Sequence, residues 1–138
     1  MGTWGADAFD NDSASDWADE FAERKSFEMV GEKLAEILRP DQDYVDSDIA
    51  SEALVACEIL ARLKGQWGKR DSYSEEIDQW VLDNPQTPSD DLLRKAILAI
   101  DRIAADRSEV AELWAEAGDE EWRASIADLR QRLAAPSK

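Results

Sequence analysis

Residues 47–64 read SDIASEALVACEILARLK, the least polar run of the chain, and it lies near the middle. Ile49, Ala50, Ala53, Leu54, Cys57, Leu60, Ala61 and Lys64 recur at the i, i+3, i+4, i+7 spacing of a helix. Val55, Ala56, Ile59 and Leu63 widen the apolar surface beyond one stripe, as in a helix covered on most sides. Ser47 and Asp48 are placed to cap its first amides, and Gly65 to close it in the left-handed conformation. Such a helix needs other helices to bury it. The expectation is an all-α fold: a single compact bundle of about six to seven helices around a central helix near residues 48–64.

The rest of the chain supplies the partners. A helix is expected over 12–23, with Asp10, Asn11 and Asp12 available as caps and Trp17 and Phe21 sharing a face. Trp4 and Phe9 belong to no helical register, so residues 1–11 read as an anchor segment that lays its rings on the bundle. Ser26 is expected to cap a helix over 27–39, which Pro40 stops. Ser72 and Glu75 have capping-box spacing ahead of a helix over 74–83, with Ile77, Trp80 and Val81 inward. Thr87 as cap and Pro88 at the first helical position predict a helix to about 106. Val110, Leu113 and Trp114 share one side of a short helix over 109–117. Trp122, Ile126, Leu129 and Leu133 make a single face on the last helix, and residues 134–138 read as a frayed tail. No run convinces as a strand and no period repeats, so residues 1–138 read as one domain.

Charge narrows the function classes. Asp and Glu number 32 against 16 Lys and Arg, and there is no His, for a net charge of −16. That charge repels phosphate backbones and anionic lipid, so neither nucleic acid nor membrane is an expected partner. It suits fast, salt-sensitive capture of a basic protein. The absence of His removes the commonest general base and metal ligand. Cys57 lies mid-helix among apolar residues, where a thiol behaves as a small hydrophobe. Among so many acids, no carboxylate pair stands out as embedded in an apolar run, where a raised pKa would be expected. Asp7, Asp10 and Asp12 invite comparison with a calcium loop. Counted from Asp10, that loop fails at Ala14, Ser15 and Phe21, so no metal and no cofactor is expected. Nothing resembles a secretory leader or an 18-residue apolar span, and a cytoplasmic protein is expected.

Six tryptophans are the unusual count. Trp17, Trp80, Trp114 and Trp122 occupy apolar helical positions and are expected in the core. Trp4 and Trp67 sit in glycine-bearing loops and are the better candidates for contact residues. With the acids near the first of them, the candidate partner-binding set is Trp4, Asp7, Phe9, Asp10, Asp12 and Trp67.

The opening MGTWG…FDND…ADW, made by Met1, Gly2, Thr3, Trp4, Gly5, Phe9, Asp10, Asn11, Asp12, Asp16 and Trp17, resembles a mostly bacterial family, domain of unknown function 4259. The stretches 51–65 and 108–133 resemble it as well. The resemblance implies a stand-alone helical protein and supplies neither a function nor catalytic residues. Size and charge lead to the expectation of a non-catalytic acidic protein that binds a basic partner, in the manner of an immunity protein or inhibitor facing a toxin or nuclease. Two alternatives stand beside it: a structural or regulatory helical module, homodimeric through an exposed helix face, and a metal-dependent enzyme built on carboxylates.

Overall fold

In a computed structural model, which describes residues 11–41, 43–70, 72 and 74–136, seven helices follow one another. They are α1 (Asp12–Arg24), α2 (Glu28–Ile37), α3 (Ser47–Leu63), α4 (Glu75–Asp83), α5 (Asp90–Ala104), α6 (Glu109–Ala117) and α7 (Glu120–Ala134). The fold is an all-α compact bundle. Twelve of the 17 residues of α3 are buried, and it packs against each of the other six helices. Burial on every side is what its wide apolar surface requires. Phe21 of α1, Leu34 and Ile37 of α2, Ile77 of α4, Ile100 and Ile103 of α5, and Leu129 and Leu133 of α7 close around it.

The helix ends depart from the sequence reading in informative ways. Asp46 caps α3, accepting from the amides of Asp48 at 2.8 Å and Ile49 at 3.4 Å, so Ser47 and Asp48 are not the caps. Its extended backbone (φ −68°, ψ 139°) aims the carboxylate back at those amides, whereas Ser47 already lies within the helix. Gly65 does adopt the left-handed conformation, φ 84°. Asn11 caps α1 through Ala14 N at 2.8 Å, leaving Asp12 as an acid of the first turn. At α2, Ser26 offers its backbone carbonyl to Met29 N, and the helix is shorter than expected at both ends. Ser89, not Thr87, caps α5, accepting from Leu92 N at 3.1 Å. Pro88 therefore precedes the cap, an extended position its fixed φ also suits.

No strand occurs among the described residues, and Val45 and Ser108 form an isolated parallel bridge. No helix among them is long and apolar enough to cross a membrane. The start of the expected frayed tail is held. Lys64 Nζ donates to the carbonyls of Leu133 (2.5 Å) and Ala135, and Gln66 donates to that of Pro136 at 2.8 Å. A buried ammonium thus satisfies the last carbonyls of α7.

Candidate functional site

The bridge at Val45 sets one end of the molecule. Val45 N donates to Arg107 O and Glu109 N to Val45 O, both at 2.9 Å. Arg107, at φ 65°, also donates from Nε to Asp43 O at 2.9 Å. These bonds hold the first turn of α6 against the first turn of α3. There the Glu109 carboxylate accepts from Ser47 N at 2.8 Å. Ser13 on α1 donates to Asp48 Oδ1 at 2.7 Å, bringing a third helix start to the same place.

Between the three elements lies a groove of about 320 Å³. Val110, Leu113, Trp114 and Ala117 line one wall at the i, i+3, i+4, i+7 spacing of α6. Asn11, Asp12 and Ser13 of α1 and Ser47, Asp48 and Ser51 of α3 line the other. Trp114 therefore packs at the edge of the core and is not enclosed by it. It and Leu113 are half-buried, because α6 has only nine residues and much of its apolar stripe faces this groove. The surroundings are acidic. Tyr44, nearly half exposed, donates to Glu112 Oε1 at 2.6 Å. Its phenol is pushed up to about 12, first by that bond, then by desolvation and the charges of Glu112, Glu109 and Asp46. An apolar floor rimmed by carboxylates can hold the stem of a long cationic side chain and pair with its head.

The opposite end of α3 holds a different kind of polar cluster. Arg62, 1% exposed at the side chain, donates to Glu58, to Asp78 Oδ1 at 2.6 Å and to Lys69 O at 2.7 Å. Glu58 also accepts from Arg132 of α7 at 3.0 and 2.8 Å, and Asp78 from the Ser74 hydroxyl at 2.7 Å. Burial alone would lower the Arg132 pKa, but the bonds and charges of Glu58 and Asp128 outweigh it and raise it. A Cβ on Gly68 would come within 2.7–2.8 Å of the Arg132 guanidinium, so a side chain there would push that guanidinium aside. Each of these charges is neutralised from within the cluster, as a structural tie joining α3, α4 and α7 would be.

Of the residues singled out from the sequence, Trp4, Asp7, Phe9 and Asp10 lie outside the described residues. Asp12 and Trp67 are described, and the fold does not bring them together. Asp12 lines the groove at the start of α3. Trp67 lies past its end, packed on the core, with the guanidinium of Arg70 4.4 Å and that of Arg62 5.8 Å from its ring centre. Trp17, Trp80 and Trp122 are buried as expected. Sequence reasoning missed Asp48, Leu113 and Trp114 as groove residues. It also passed over Glu58, a carboxylate that does sit in an apolar run and is 6% exposed.

Cys57 is fully buried, its thiol directed at Ala96 O (3.7 Å) and its pKa pushed well up by burial. Among the described residues, Glu76 is a carboxylic acid with a raised pKa, from its hydrogen bond with Asp19 first and then burial, on an exposed part of α4. Among the described residues, no group of three or more His, Cys, Asp or Glu is gathered as metal ligands would be.

Neither a curated protein nor a solved structure matches this chain. A family model does, over residues 2–125, which takes in the groove-lining residues of α1, α3 and α6: the chain belongs to the family described as Domain of unknown function (DUF4259).

Proposed function

We propose that this is a non-catalytic binding protein whose groove between α1, α3 and α6 receives a cationic segment of a basic protein partner. The observation that carries the reading is the combination at one place of a partly exposed Trp114 on an apolar wall with the carboxylates of Asp12 and Asp48 opposite. Tryptophan is among the residues most enriched at the hot spots of binding interfaces. The chain's own cations do little to neutralise the rim. Arg62 and Lys64 are buried and Arg132 and Lys33 mostly so, each engaged internally, and none of the four lines the groove. A net negative field speeds the approach of a positive partner and opposes nucleic acid. An inhibitor-like cover over the basic site of a toxin or nuclease is the mode that fits this chemistry.

The test compares three baits in one lysate: the natural chain, Trp114→Ala and Asp48→Asn. A basic protein retained by the natural chain at low salt, released at high salt and lost from both variants is the expected result. Equal retention by all three baits places the contact elsewhere. A retained protein that is acidic, or indifferent to salt, refutes the electrostatic reading.

A further inference from the structure

We infer that the face formed by α5 and α7 binds a second copy of this chain, with α5 lying antiparallel to its symmetry mate. On a molecule of net charge −16, self-association requires a surface free of like-charge repulsion. These two helices supply one. α5 carries Asp90, Asp91 and Asp101 against Arg94, Lys95 and Arg102. α7 carries three acids and three arginines. Each sums to zero, so the whole net charge lies outside them.

The face is also apolar at its centre. Leu98 is 49% exposed, and beside it runs a shallow groove lined by Leu93, Ile97 and Ala134. The charges flank it in a self-complementary order. Arg94 and Asp101 lie two helical turns apart, about 10 Å, on one face of α5. A two-fold axis midway between Ile97 and Leu98 sets Arg94 against Asp101 of the second copy and the reverse, with the two Leu98 side chains meeting between. This is the isologous arrangement of a cyclic dimer. Asp101 already accepts from Arg130 at 2.7 and 3.1 Å, in a pair about half exposed, so an incoming Arg94 would complete an Arg–Asp–Arg bridge.

A basic partner has no preference for this neutral face over the acidic remainder, which favours a second copy as the occupant. The inference is independent of the groove reading. The groove begins at Asp48 and this face reaches Lys64, about 24 Å away along α3, so both can be occupied together.

Sedimentation velocity on the full chain, from about 1 µM to about 1 mM, tests it. The natural chain should show a concentration-dependent dimer. Leu98→Glu should sediment as a monomer throughout, with a melting temperature within about 2 °C of the original because that side chain faces outward. Arg94→Glu should raise the dimer dissociation constant about tenfold or more. A natural chain that is monomeric over the whole range overturns the inference. A dimer that survives Leu98→Glu rules out the face, and one indifferent to Arg94→Glu rules out the antiparallel pairing.

Discussion

Arg62 shows how a single buried charge can hold two helices and the loop between them. Its guanidinium reaches Glu58 one turn back, Asp78 at the start of α4 and the carbonyl of Lys69 in the intervening loop. Truncation to alanine would leave Asp78 with the Ser74 hydroxyl and with Arg70 at 3.8 Å, while Glu58 would keep Arg132. Removing one partner of a buried ionic cluster costs about 3–5 kcal/mol, and Arg62→Ala is expected to lose that much in urea unfolding. Arg62→Lys should recover little, since one ammonium cannot span three acceptors in the planar geometry of the fork. A loss below about 1 kcal/mol would mean that water replaces the guanidinium and that the cluster is not the tie described. In the sequence only the i, i+4 pair of Glu58 and Arg62 is visible. Its position inside VACEILA is a sign of burial that a count of acids overlooks. Asp78 and Arg132 arrive from other helices, and no local pattern announces a contact across such a separation.

At the scale of elements, α3 decides the packing, and its legibility follows from its chemistry. An apolar surface wider than one stripe has few solutions besides a surrounded helix, which is why the centre of the fold is readable from residues 47–64. Leu60 is fully buried in that helix, so Leu60→Ala should cost roughly 2–5 kcal/mol by denaturant titration, with the m-value unchanged. A loss near zero would show that the neighbouring helices collapse into the space. The ends of elements are less legible, because caps compete within one or two residues and tertiary bonds choose among them. Ser47 is an example: its amide is taken by Glu109 of α6, a partner no cap rule supplies. The short α6 shows the same limit. Its stripe of Val110, Leu113 and Trp114 has the periodicity of a core face, yet periodicity records only that a face is apolar. Whether a groove or a helix lies opposite depends on the placement of α1 and α3, which pattern alone does not give.

Across the whole molecule, 32 acidic residues stand against 16 basic ones, and folding brings the excess negative charge of the chain closer together. Crowded anions repel one another and oppose the compact state, and protonating them as pH falls relieves that repulsion. Stability must then fall as pH rises. Glu76 is a local instance: its pKa lies above 4.5 in the fold, so stability is gained as pH falls through that value. Asp91 and Asp101 act in the opposite sense. Hydrogen bonds from Lys95 and Arg130 hold their pKa below 3.8, so the stability they contribute is present at neutral pH and lost as pH falls through their folded values. The two signs together predict a maximum. The melting temperature should rise as pH is lowered from about 8 to about 5, then drop below about 4 as the paired aspartates are protonated. Added sodium chloride should raise it at about pH 8 by screening repulsion, and do so much less near the maximum, where fewer carboxylates are ionised. Thermal melts on a grid of pH and salt read both effects. A melting temperature flat between pH 5 and 8, or lowered by salt at the alkaline end, would show that ion pairs such as Arg130–Asp101 outweigh the repulsion, and the surface could not then be the strong attractor of cations that the groove requires.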